Sequence, residues 1–432
     1  MTEERLLPRL RAALDVGALQ ALVLELSNIP SAQGREEAAG NYVFAWMQRE
    51  GFMPRKVAAV PHRFSVVGSY GGFGLAGTAR DLLFSSHLDT EGPIGDASDA
   101  WRERPGTPPP EPNRIEDGTF IGAAIANDRG PMSCFLMAAK ALKAAGIRLA
   151  GSMILTACPG EIGPDPIDEV EGVANSGKDV GALYMLHHGG VAPDYMIAAE
   201  GTDFGVTSVG SGYAIFRIRL FGTESFTPIL DSPADPRAHP NPIYHLGTAI
   251  AALNAWGRIY EQAHCYETAG GTAIPKVQIG AVRGGVPHAI GGGTAVCALY
   301  LEVGLTPDSR LADVRREVAV ALEQAGLDDY DLAPVAVRHG AAADEASVAP
   351  LRNALGEALM SVRHDTLRTA HPVYSSMWRD HNVFNLHGVP SVTMGPPRHC
   401  PTLRDFVDCT LLYAMTAISI CGIAVHEDPS QC

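Results

Sequence analysis

The chain has 432 residues, 46% hydrophobic and 19% charged, which is enough for two cores and too apolar for a disordered protein. A formal net charge of −15 argues against nucleic acid or an anionic membrane surface as a partner, and no run of about 18 apolar residues offers a membrane span. Met1-Thr2-Glu3-Glu4-Arg5 leads into an amphipathic segment rather than an apolar leader. The eight cysteines (134, 158, 265, 297, 400, 409, 421 and 432) form no Cys-x-x-Cys pair, so a reducing cytoplasm without disulfides is expected.

Residues 6–14, 17–26 and 35–50 read as helices, the last closed by Gly51. Strand patterns follow at Ser65-Val66-Val67 and Leu82-Leu83-Phe84. A loop spans 92–117, with Pro105, Pro108, Pro109, Pro110 and Pro112. A helix over 131–145, a strand over 152–156 and a strand over 195–199 complete an alternation that argues for an α/β fold with a largely parallel sheet flanked by helices. Near Ser208 the character changes. Residues 212–220 alternate as a half-buried strand does, 242–255 and 311–325 read as helices, and 277–280 and 295–301 as strands. This predicts an inserted α+β lid or oligomerisation domain over 208–338. It would divide a catalytic domain into 1–207 and 339–432, where a helix over 349–362 and a strand over 391–394 resume the first pattern.

The strand at Leu82 runs into Ser86-His87-Leu88-Asp89-Thr90-Glu91. Strand side chains repeat every second residue, so His87 and Asp89 share a side. A metal-binding imidazole commonly gives its second ring N–H to a carboxylate, and Asp89 can supply one. Further polar groups stand at element ends: Asn127 in Ala126-Asn127-Asp128-Arg129-Gly130, Glu161 after strand 152–156, Glu200 after strand 195–199, and His399 in Gly395-Pro396-Pro397-Arg398-His399. Open α/β sheets bind ligands outside the carboxyl ends of their strands, and converging His, carboxylate and amide groups there suit a divalent metal.

The order of these motifs resembles the co-catalytic metallohydrolases that include glutamate carboxypeptidase, aminoacylase, acetylornithine deacetylase and succinyl-diaminopimelate desuccinylase. Their order is His-x-Asp, Asp-x-Lys-Gly before a helix, Glu-Glu-x-Gly, a strand-final acid, a lid and a C-terminal His. The resemblance implies that His87, Asn127 and Glu200 surround one metal position and Asn127, Glu161 and His399 a second. It also implies that Asp89 and Glu161 are the catalytic carboxylates. Three departures stand out. Asn127 replaces the bridging Asp, with Asp128 an alternative ligand under a one-residue shift and helix capping an alternative role for Asn127. Gly160 occupies the position of the general base, and Phe226 that of the lid His. His381 and His387 compete with His399.

With the bridging charge gone, one metal per chain is expected, Mn²⁺ favoured and Zn²⁺ the alternative. Tyr374, Arg379 and the lid residue His288 are candidate substrate contacts. An Arg and aromatics beside a metal suit a small aromatic amine or carboxylate. Loss of the lid His disfavours peptide cleavage and favours a non-peptide C–N bond. An N-acyl amino acid deacylase or dipeptidase using Glu161 as base is the alternative, and an inactive binding relative the third reading. The resemblance also implies a homo-oligomer formed through the lid.

Overall fold

The computed structural model describes residues 5–74, 79–92, 99–102, 104, 106, 108, 111–163, 165–167 and 177–424. Met1 to Glu4, Pro105, Pro109, Pro110 and Cys432 lie outside the described residues.

A six-stranded sheet organises the larger part, in the order Arg55–Val60, Arg63–Gly71, Ser152–Cys158, Leu82–His87, Tyr195–Ala198, Ser391–Thr393. The last four strands are mutually parallel, and the first two pair antiparallel. Leu82–His87 is buried along its whole length, as expected of a strand covered on both faces. Successive side chains feed opposite layers. Leu82 and Phe84 join a core shared with helices Val16–Ser27, Glu37–Glu50, Gly130–Ala144 and Leu403–Cys421. Leu83 joins a smaller core with Met185 of helix Ala182–His188 and Phe384 of helix Asp380–Leu386. The sheet is therefore sandwiched, and its carboxyl edge is the surface left for chemistry.

Among the elements that escape the sequence reading, three show why. Arg55–Val60 is an edge strand with only Val57 buried, so it lacks a hydrophobic face to announce it. Tyr330–Arg338 carries Pro334 beside a register shift, which breaks the alternation. Leu403–Cys421 is apolar around most of its circumference because it packs between Gly130–Ala144 and Glu345–Arg363; Thr402 and Asp405 form its capping box.

A second core is made of residues from Ala214 to Val337. Its four-stranded antiparallel sheet runs Val277–Gly284, Val296–Leu305, Gly212–Phe221, Tyr330–Arg338. Ala214, Phe216, Ile218 and Leu220 point inward on alternate positions. Helices Leu246–Ala263 and Leu311–Gln324 cover them with Leu253, Tyr260, Val314, Val318 and Leu322. Among the described residues no helix is long and apolar enough to cross a membrane.

Candidate metal centre

His87 closes its strand opposite Cys158 and is fully buried. Its Nδ1 lies 2.8 Å from the main-chain oxygen of Asp89 and 3.7 Å from the Asp89 carboxylate. The ring N–H thus goes to the carbonyl rather than to the carboxylate that the sequence suggests. That carboxylate is occupied elsewhere: it accepts the backbone N–H of Glu161 at 3.1 Å and of Ile162 at 2.7 Å. Asp89 is 0% exposed and ties the Glu161 loop to the His87 strand.

The opposite ring nitrogen, Nε2, faces carboxylates. Asp128 Oδ2 is 2.9 Å away and Glu161 Oε2 3.8 Å. One donor atom each from His87, Asp128 and Glu200 lies within 4.8 Å of the others, and all three residues are buried. The backbone leaves helical geometry at Asn127 and Asp128, just before helix Gly130–Ala144. Arg129 braces this turn. Its buried guanidinium donates to the carbonyls of His87 (3.1 Å) and Leu88 and to the Ser31 hydroxyl. Gly130 is required by crowding: a Cβ there would lie 2.4 Å from the Phe406 ring and 2.6 Å from the Ile125 oxygen. Glu200 ends its strand in an ion pair with buried Arg379.

His87 Nε2, both Asp128 oxygens and Glu200 Oε2 are buried without an aligned hydrogen bond. Asp128 Oδ1 has no partner, Asp128 Oδ2 has only His87 Nε2, and Glu200 Oε2 has only the Arg379 guanidinium, so these buried carboxylates are short of donors, which is costly. A dication beside them would satisfy oxygens and imidazole together, so these residues fit a divalent metal. Burial pulls the His87 pKa down, but Asp128, then Glu161 and Asp89, outweigh it and raise it to about 10. A proton therefore competes with a metal for Nε2, and metal affinity should rise with pH. Asp380 lies beside this charge cluster. Burial first, then Glu161, push its carboxyl up to about 7, against the opposing pull of His87.

The other sequence candidates fall elsewhere. Asn127 is half-buried and lines a cavity of about 350 Å³ with exposed His399 and with Arg398. The cluster with His87 holds Asp128, and His399 is not part of it. Asp128, the ligand under the one-residue shift, is the side chain that meets His87 Nε2, at 2.9 Å. Tyr374 is buried and donates to Asp203 at 2.6 Å. Arg379 is engaged by Glu200 rather than free for a substrate. His288 is exposed on the loop after strand Val277–Gly284. His381 is buried with Nδ1 2.5 Å from the Thr393 hydroxyl, and burial and Arg379 push its pKa down to about 3; it is not part of the His87 cluster. His387 is exposed. Sequence reasoning passed over Asp380 and Arg398. The charged Arg379-Asp380 pair opening the apolar stretch Val383-Phe384 was the available signal for the first; the Arg beside His399 was the signal for the second.

No protein-family model matches the chain. Among solved structures, human carnosine dipeptidase 1 is similar at 14% identity and TM-score 0.66, over 96% of this chain and 99% of that one. A dinuclear metal-binding peptidase of the M20 family from Bacillus subtilis is similar at 14% and 0.59, over 94% and 98%. A hydantoinase/carbamoylase family amidase from Burkholderia ambifaria is similar at 13% and 0.58, over 96% and 99%. The chain has the fold of these enzymes. The likeness runs end to end.

Proposed function

We propose that the chain is a metal-dependent hydrolase of a carbon–nitrogen bond other than a peptide bond. The observation that carries this reading is the convergence of the buried His87, Asp128 and Glu200 side chains at the carboxyl edge of the parallel strands. These three residues would hold one Mn²⁺, or alternatively Zn²⁺. Such a metal supplies a water that gives up its proton near neutral pH. Glu161 is near enough to His87 Nε2 to receive that proton and return it to the leaving nitrogen, while Asp89 holds its loop in place.

The substrate we propose is 5-nitroanthranilate, because in length and motif departures the sequence resembles 5-nitroanthranilic acid aminohydrolase. Water adds its oxygen to the ring carbon bearing the amine, and the C–N bond breaks. The nitrogen leaves as ammonia with the transferred proton, giving 5-nitrosalicylate. The ring nitro group holds the added negative charge, a task otherwise given to a donor such as the lid His. Phe226, at that position, offers no donor and is 60% exposed. The carnosine dipeptidase and the M20 peptidase support a second reading, a dipeptidase or N-acyl amino acid deacylase with Glu161 as base. The exposed lid side chains Phe226, Ile229, Val286 and Ile290 support a homo-oligomer through this part of the chain, which light scattering would detect.

Mn²⁺-loaded protein incubated with 5-nitroanthranilate should release ammonia and 5-nitrosalicylate. Cleavage of dipeptides or N-acyl amino acids without ammonia release from 5-nitroanthranilate would favour the second reading. Turnover of none of these would leave a binding protein.

A further inference from the structure

The cavity that holds Asn127 and His399 is not explained by metal binding. Its volume is about 350 Å³, and Phe120, Ile121, Ala123, Ala126 and Pro401 give it an apolar lining. Arg398 stands in the same wall, and its Nη1 is buried without a hydrogen-bond partner. A guanidinium in the wall of an apolar cavity, with one nitrogen left unpaired by the protein, is a ready partner for an anion. The Arg398 backbone is tied in place: its N–H donates to Asp203 at 3.0 Å, and Asp203 is also the acceptor of the Tyr374 hydroxyl.

The cavity also adjoins the metal-site backbone. Ala126 and Asn127 in its lining precede Asp128 directly. Gly201, the residue after Glu200, touches Arg398 so closely that a Cβ would lie 3.0 Å from the Arg398 Cα and 3.2 Å from the Ala126 oxygen. The segment carrying Asp128 thus lines the cavity, and the segment carrying Glu200 packs against Arg398 in its wall.

We propose that this cavity is an anion-binding pocket in which Arg398 anchors the carboxylate of a monoanionic aromatic acid, with the ring on the apolar lining. The volume suits one substituted ring, at the small end of ligand sites. Exposed Glu91 at the rim discriminates against a second negative charge and suits an amino substituent as a hydrogen-bond donor. The inference deepens the proposed function, since it assigns the carboxylate of the substrate to Arg398 in place of Arg379. It also stands apart from turnover, because binding is read directly.

The test is calorimetric titration of the full-length, Mn²⁺-loaded protein with benzoate, with neutral benzamide and with phthalate, a dianion. Wild type should bind benzoate more tightly than benzamide or phthalate. Arg398→Met should weaken benzoate by about tenfold or more, as expected for loss of a hydrogen bond to a charged group, and leave benzamide unchanged. Arg398→Lys should recover part of the loss. Ala123→Trp, at an exposed position on the lining, should block benzoate with Arg398 intact. Melting temperatures taken alongside separate loss of the pocket from loss of the fold. Benzoate affinity unchanged in Arg398→Met, or equal affinity for benzoate and benzamide in the wild type, would overturn the proposal. Arg398-dependent benzoate binding in a protein that does not turn over 5-nitroanthranilate would uphold the pocket and reject only the proposed reaction.

Discussion

Asp89→Asn separates two roles for a residue that sits within reach of His87 but touches no open space. The Asp89 carboxylate accepts two backbone N–H groups, from Glu161 at 3.1 Å and Ile162 at 2.7 Å, in a fully buried setting. Asparagine keeps one acceptor oxygen and turns an NH₂ toward the second N–H. One charge-assisted hydrogen bond, about 1.5–3 kcal/mol, is lost, and a buried N–H is left unpaired at a further cost of about 1–3 kcal/mol. The variant should therefore be destabilised by about 3–5 kcal/mol in urea unfolding, read as a lower midpoint at unchanged slope. The Glu161 loop should loosen as well, and metal affinity should fall by about 10- to 100-fold, as is typical when an outer partner of a metal site is removed. Calorimetry with Mn²⁺ reads this directly. A variant with wild-type stability and wild-type metal affinity that lost only kcat would refute the positioning role and return Asp89 to direct catalysis.

Two further perturbations test the charge arrangement. Asp380, whose carboxyl is raised from 3.8 to about 7, keeps a proton in the fold that it loses in the unfolded chain between those values. Its contribution to stability falls as pH rises through that window, so Asp380→Asn should be more stable than wild type at pH 8 and should converge with it toward pH 4. Urea midpoints of metal-free protein at the two pH values check this, and a gap that does not depend on pH would contradict it. Arg338 pairs with buried Asp165 at 2.6 Å, where Tyr213 also donates, and so joins the four-stranded antiparallel sheet to the loop that follows Glu161. Arg338→Met should cost about 3–5 kcal/mol at neutral pH by stranding that carboxylate, and a loss under about 1 kcal/mol in urea unfolding would count against the link.

Elements with a hydrophobic face were legible from the residues alone. The alternation of residues 212–220 became a strand with Ala214, Phe216, Ile218 and Leu220 inward, and the apolar run at Leu82 became the central buried strand. Elements whose pattern is erased by their surroundings were not. Leu403–Cys421 is buried on most sides, and Arg55–Val60 has almost no buried side. In the site, His87, Glu161 and Glu200 could be located because each follows a readable strand end. Asn127 and Asp128 could not be told apart, because which of two adjacent side chains meets His87 depends on a non-helical turn that no propensity encodes. Arg379 reads in sequence as a free cation, and only the fold brings it onto Glu200.

Metal binding to Asp128→Ala and Asn127→Ala, measured side by side with Mn²⁺ on chelator-stripped protein, tests the centre most directly. If Asp128 joins His87 and Glu200 around the metal, Asp128→Ala should lose more than about 100-fold in affinity, beyond the range of an outer-sphere partner, while Asn127→Ala stays close to wild type. Loss of the metal in Asn127→Ala with retention in Asp128→Ala would contradict the account.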